Sequence, residues 1–72
     1  MTDQLRAEVE AVEELIKRRL PIDSTTRVKN LIQSLTSSFA VSEVAVRKSI
    51  EVMIAKEELE YRSRRMAIHR KR

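Results

Sequence analysis

The chain has 72 residues, and 15 Lys and Arg against 11 Asp and Glu give it a net charge of +4. A chain of this length forms at most one small domain, and without cysteine that domain has no disulfide framework and no thiolate metal site. Because there is no glycine for a phosphate-binding loop and only one histidine for a catalytic or metal cluster, we expect no enzyme activity, no cofactor, no metal and no small-molecule substrate.

A first helix is predicted for residues 3–19. Apolar residues recur every three or four positions from Leu5 to Ile16, which is the spacing of one buried helix face. Thr2 or Asp3 can cap the start of this helix. Pro21 ends it, because the residue before a proline avoids the helical region.

A second helix is predicted for residues 24–36, with Asp23 or Ser24 as its N-cap. Its apolar stripe runs from Val28 to Leu35 at the helical spacing i, i+3, i+4, i+7. The following Thr and Ser residues compete for backbone hydrogen bonds and are expected to end it.

A third helix is predicted for residues 42–58, with Ser42 as its N-cap. Alternating apolar residues after it predict a β-hairpin at 59–69, turning at 63–65, and a basic tail at 70–72. The turn contains no glycine, so continuation of the third helix through the tail is the alternative. Helix, helix, turn, helix and hairpin is the order of a winged helix-turn-helix domain, a mainly α fold of the α+β class, here spanning residues 1–72.

The positive charge is concentrated at the end of the chain. Residues 62–72 hold six of the fifteen Lys and Arg and no acid, whereas the other 61 residues carry nine Lys and Arg against eleven Asp and Glu. Six cations in eleven residues repel one another unless an anionic partner neutralises them, and the phosphates of nucleic acid are such a partner. The candidate contacts in this segment are Arg62, Arg64, Arg65, His69, Arg70, Lys71 and Arg72.

The third helix supplies a second set of candidate contacts, since its counterpart in this fold enters the major groove. They are Ser42, Val44, Ala45, Arg47 and Lys48. Glu43 and Glu51 lie beside these residues and would repel phosphate, so a solvent-exposed helix face is the competing interpretation. A surplus of apolar residues at Val41, Val44 and Val52 can be explained by a homodimer seam, by a groove for another protein or by scattered surface positions.

The segment from Val41 to Tyr61 resembles the recognition-helix segment of the winged-helix superfamily, with a serine cap, a buried valine, a basic pair and spaced aliphatic residues. Residues 17–60 are also similar to the C-terminal winged-helix domain of cullins, the scaffold of ubiquitin ligases. That similarity rests on Ile16-Lys17-Arg18-Arg19, Leu35-Thr-Ser-Ser-Phe39, Lys48-Ser-Ile50 and Ile54-Ala-Lys-Glu-Glu-Leu-Glu60. It implies that Lys17 accepts a ubiquitin-like modifier, although the chain lacks the spaced tyrosines and terminal alanine of a cullin ending.

Two functions follow. The first is a small protein that binds double-stranded DNA as a transcriptional regulator or DNA-organising factor. The alternative is a cullin-like interaction module with ubiquitin-ligase components as partners and Lys17 as the modified residue. No apolar run approaches the about 20 residues of a membrane span. We expect a soluble intracellular protein, in the cytoplasm and nucleoid or in a nucleus, with no membrane partner.

Overall fold

The computed structural model describes residues 2–72, which form three α-helices and one three-stranded antiparallel sheet. The elements are α1 (Asp3–Arg19), β1 (Thr25–Arg27), α2 (Val28–Ser38), α3 (Glu43–Ala55), β2 (Leu59–Arg62) and β3 (Ala67–Arg70). The strand order is β1-β3-β2, so the last strand of the chain is the central one. This architecture confirms the predicted α+β winged-helix class. None of these helices is both long and apolar enough to cross a membrane.

The first helix has the predicted bounds. The side-chain oxygen of Thr2 accepts a hydrogen bond of 3.1 Å from the backbone N–H of Leu5, which satisfies one of the free donors of the first turn. At the other end, the N–H of Leu20 bonds to the carbonyl of Ile16 just before Pro21. Local signals at both ends therefore determine this element.

The start of α2 differs from the prediction. A helix from residue 24 was expected, but Thr25–Arg27 forms β1 and the helix begins at Val28. Asp23, the expected cap, has a φ of 69° in the left-handed region, and the Ser24 hydroxyl donates to the Pro21 carbonyl at 2.6 Å instead of capping a helix.

The reason lies in strand pairing. Thr26 stands opposite Ile68 of β3, and Ile68 is fully buried in the core. The β-branched Thr25 and Thr26 suit such a paired, half-buried position better than the first turn of a helix. The partner strand lies more than forty residues away in the sequence, so the local pattern could not reveal it.

The third helix ends at Ala55, three residues earlier than predicted. The N–H of Glu58 bonds to the Met53 carbonyl at 2.9 Å and the N–H of Glu57 bonds to the Ile54 carbonyl at 3.0 Å. With Glu57 at a φ of 64°, this is a Schellman motif, which usually uses glycine at that position. The motif reverses the chain and directs it into β2.

The core lies between the three helices and the inner face of the sheet. The largest fully buried side chains are Ile16, Leu35, Met53, Leu59, Ile68, Val12, Val46 and Ser49. Ser49 links α1 to α3, because its hydroxyl lies 3.0 Å from the carbonyl of Val9 and 2.7 Å from that of Ala45. The orientation of α3 relative to the rest of the domain is thus fixed by packing and by a buried polar contact.

The predicted hairpin forms, and β2 and β3 pair from Leu59–Arg70 to Arg62–Ala67. A short 3-10 turn at Ser63–Arg65 joins the strands, followed by Met66 at a φ of 49°. Arg70, predicted to begin a free tail, is instead the last residue of β3. We call the turn at 63–66 the wing turn.

Candidate nucleic-acid interface

The third helix turns one side toward α1 and the other toward solvent. On the inner side, the Ser42 hydroxyl accepts from the Ala45 N–H at 3.1 Å and donates to a carboxylate oxygen of Glu8 at 2.9 Å. Ala45 is fully buried. This corrects two of the predicted base contacts, because Ala45 belongs to the core and the Ser42 hydroxyl is already bonded to α1 and to its own helix.

The outer side of α3 carries Val44, Arg47 and Lys48, all exposed as predicted. Both cations are paired with acids of the same helix. Arg47 lies 3.6 Å from Glu43, and Lys48 lies 3.5 Å from Glu51. Exposed pairs of this kind are worth only about 0.3–0.5 kcal/mol, so they do not lock the side chains, but the acids remain on the face that a nucleic acid would approach.

The wing turn brings cations from three elements together. Arg62 ends β2, Arg64 and Arg65 form the turn, and Arg27 ends β1. In the sheet register, Arg27 and Arg62 both stand opposite Ala67 of the central strand. Neighbouring strands are about 4.8 Å apart, so the two arginines flank a small residue at a backbone separation of about 10 Å.

A backbone hydrogen bond ties the wing turn to the start of α2. The N–H of Val28, the first residue of that helix, donates to the carbonyl of Met66 at 3.0 Å. The two segments border a hollow of about 420 Å³ that Arg27, Lys29, Arg47, Arg65 and Met66 line together with Val28 and Glu43. Cations from α2, α3 and the wing therefore face one concave surface.

The end of the chain lies at the opposite end of the hairpin. Arg70 donates through its guanidinium to the carbonyls of Lys17 and Leu20, at 2.8 and 2.9 Å, and so closes the last turn of α1. Arg72 forms an ion pair with Asp23. The predicted basic segment is thus divided, because the hairpin separates Arg62, Arg64 and Arg65 from the last three residues.

His69, one of the candidate contacts, is hydrogen-bonded within the sheet. Its Nδ1 lies 2.8 Å from the hydroxyl of Thr25, and its Nε2 lies 3.8 Å from Asp23. Only 18% of its side chain is exposed. His69 therefore connects the central strand to β1. Lys71 is exposed, and within residues 2–72 its side chain has neither an ion pair nor a side-chain hydrogen bond.

Comparison with protein families matches residues 11–70 to the family described as MCM5, C-terminal domain. The chain belongs to this family. The MCM5 C-terminal domain is a winged-helix domain of MCM, in agreement with the architecture described above, and the match reaches from within α1 to the end of β3. Searches of the curated proteins and of the solved structures returned no match.

The match relates this domain to DNA replication, and it lends no support to the cullin-like or the transcriptional interpretation. Lys17, the residue on which the cullin-like interpretation depends, is half-buried rather than freely exposed. Its ammonium group lies 3.7 Å from both Glu14 and Glu58. In this structure Lys17 connects α1 to the segment after α3.

The segments around the wing turn and the outer side of α3 carry more cations than acids. We call these segments the basic face, comprising the end of β1, the start of α2, the outer side of α3, β2 and the wing turn. Its charged residues are Arg27, Lys29, Arg47, Lys48, Arg62, Arg64 and Arg65, together with Glu43, Glu51 and Glu60. Seven cations and three acids give this face +4, which leaves eight Lys and Arg against eight Asp and Glu elsewhere.

Sequence reasoning missed two members of the basic face. Arg27 and Lys29 fall within the helix predicted for residues 24–36 and were not among the predicted contacts, whereas β1 and the first turn of α2 place them beside the wing turn. Their alternation around Val28 was visible in the sequence. Its meaning depends on a third strand, and a strand of three residues gives almost no local signal.

Proposed function

We propose that this domain binds double-stranded DNA through its basic face, as a non-catalytic part of a DNA-replication assembly. The observation that carries the proposal is the separation of charge. The segments of the basic face together carry +4, the remaining residues sum to zero, and Arg27, Lys29, Arg47 and Arg65 line one hollow. A one-sided positive field attracts a polyanion and orients the domain on it.

The shape of the basic face supports a duplex as the ligand. The wing turn projects beside the outer side of α3, and the hollow between them is lined by cations of both elements. Helix and wing together provide the two contacts that such domains make with the grooves and the backbone of DNA. The domain also has one exposed aromatic ring within this face, Tyr61, whereas single-strand binders usually present several.

A role in replication is favoured over transcriptional regulation, because the family relationship is to an MCM domain. DNA as the ligand would place the domain inside the cell. A ubiquitin-ligase role is not favoured, since Lys17 is held between two glutamates and the family match is not to cullins.

The test is a salt titration of binding to a mixed-sequence duplex, followed by fluorescence anisotropy. Five to seven phosphate contacts predict a log–log salt slope of about −4.5 to −6.3, since each contact adds about 0.9. Non-specific binding of this kind has Kd values of about 10⁻⁴ to 10⁻⁶ M at physiological salt. The whole chain must be used. Removing the residues after Tyr61 would delete β3, the central strand, and with it the sheet.

A matched control neutralises two cations on the other side of the domain. Arg6 and Arg18 are exposed residues of α1 and form no ion pair within residues 2–72. The double variant R6A/R18A lowers the net charge from +4 to +2 without touching the basic face. We expect its salt slope to remain within about half a unit of the parent protein. No binding by the parent protein at 50 mM salt would refute the proposal. So would a loss of slope in this control as large as the loss of two phosphate contacts would cause.

A further inference from the structure

We infer that the main phosphate contacts of this domain are made by the wing, the end of β1 and the start of α2, and not by the outer side of α3. The inference rests on the proposed function and specifies how the basic face is used. The residues concerned, which we call the wing cluster, are Arg27, Lys29, Arg62, Arg64 and Arg65.

The outer side of α3 carries as many acids as cations. Its two outward cations, Arg47 and Lys48, each lie within 3.6 Å of a glutamate of the same helix, so the stripe has no net charge. A phosphate that approaches Arg47 or Lys48 also approaches Glu43 or Glu51. The attraction of the cations is then offset by repulsion from the acids, and few counterions are released.

The wing cluster differs from the outer side of α3 in its ion pairing. Within residues 2–72, none of its five side chains forms an ion pair with an acid. All five are exposed. They can therefore turn toward a phosphate without first breaking an ion pair, and each phosphate neutralised adds about 0.9 to the magnitude of the salt slope.

The sheet register sets the spacing of two arginines of the wing cluster. Arg27 and Arg62 flank Ala67 across the sheet, at a backbone separation of about 10 Å, so each guanidinium can reach a phosphate of its own. The bond from the Val28 N–H to the Met66 carbonyl holds the wing turn against α2. Arg27, Lys29 and Arg65 consequently line one hollow beside the wing turn, and the ligand that this arrangement fits is the phosphate backbone of a DNA duplex.

The experiment compares two double variants that remove the same charge. R64A/R65A changes the wing turn, and R47A/K48A changes the outer side of α3; each lowers the net charge from +4 to +2 at exposed positions. Far-UV circular dichroism and Tm establish that both are folded. Their salt slopes are measured on the same mixed-sequence duplex as the parent protein.

We expect R64A/R65A to lower the magnitude of the slope by about 1.8, which corresponds to roughly 200-fold weaker binding at 50 mM salt if both proteins bind equally at 1 M. We expect R47A/K48A to change it by less than about half a unit. An equal or larger loss in R47A/K48A overturns the inference while leaving DNA binding intact. A parent protein that does not bind the duplex overturns the proposed function itself, so the two failures are distinguishable.

A third variant tests the reason given for α3. E43Q/E51Q removes the two acids and leaves Arg47 and Lys48 in place. If the acids restrain these cations, the magnitude of the slope rises by about 1 to 2 units, because α3 now adds phosphate contacts. An unchanged slope would contradict the charge-pairing argument and overturn the inference.

Discussion

Arg70 offers a test of whether the end of the chain is structural or binds DNA. Its guanidinium bonds to the carbonyls of Lys17 and Leu20, at 2.8 and 2.9 Å, and its side chain is partly buried. The change R70M keeps much of the side-chain volume and removes every donor. We expect it to destabilise the domain and to leave the salt slope of DNA binding unchanged.

The magnitude follows from these contacts. A hydrogen bond to a charged group contributes about 1.5–3 kcal/mol, and a cation at a helix C-terminus adds about 0.3–1 kcal/mol. Partial exposure lets water reach the freed carbonyls, so each bond is counted at about 1 kcal/mol and the pair at about 2 kcal/mol. A chain of 72 residues has a total stability of roughly 4–11 kcal/mol. The loss is a substantial part of that, and Tm should fall by about 8–16 °C.

The assay is thermal unfolding followed by circular dichroism, with K71M as the matched control. Lys71 is the next residue, carries the same charge and is exposed, so its replacement should stay within about 0.5 kcal/mol of the parent. R70K should fall between the two, because a lysine keeps the charge and can reach one carbonyl. If R70M melts with K71M, the structural role is refuted. A lowered salt slope at unchanged stability would restore the prediction of a DNA contact.

Three further changes test the fold. E57G should raise stability by about 0.5–1 kcal/mol, measured as a higher urea midpoint, because Glu57 occupies the left-handed position of the Schellman motif; E60G, within a strand, should lower it. S42A should cost about 1 kcal/mol through loss of the α3 cap, and S42T should recover most of it; equal stability of all three proteins would contradict the cap. M53A should cost about 2–5 kcal/mol because Met53 is fully buried, whereas M66A, at a residue 68% exposed, should stay within about 0.5 kcal/mol; similar losses in chemical unfolding would mean that the core is wrongly assigned.

The local signals of the sequence were sufficient for the helices and for the class of fold. Apolar residues at helical spacing predicted α1 and α3, and Thr2 and Ser42 cap these helices as expected. The hairpin formed despite a turn without glycine, because Met66 adopts the left-handed conformation that glycine would normally supply. Each of these features depends on residues a few positions apart, and such interactions are readable in one sequence.

The candidate site was predicted only in part, because a site depends on which segments meet. The cluster of cations at residues 62–72 was evident, but the hairpin separates Arg64 and Arg65 from Arg70 and Arg72. The exposed positions of Arg47 and Lys48 were predicted correctly, and Glu43 and Glu51 lie beside them. Ala45 was misplaced because its neighbour α1 covers that side of α3, which helical spacing alone does not specify.

The sequence by itself determined the period of the apolar residues, the ends of α1, the start of α3 and the total charge, since these depend on residue type and short-range spacing. The tertiary structure alone decided that residues 25–27 form a strand, that Arg27 and Lys29 join the wing, and that Arg70 closes α1 instead of extending toward a ligand. These outcomes depend on the pairing of β1 with β3 across more than forty residues. A pairing of that kind is selected by the burial of Ile68 and by the free energy of the whole core, and no short segment encodes it.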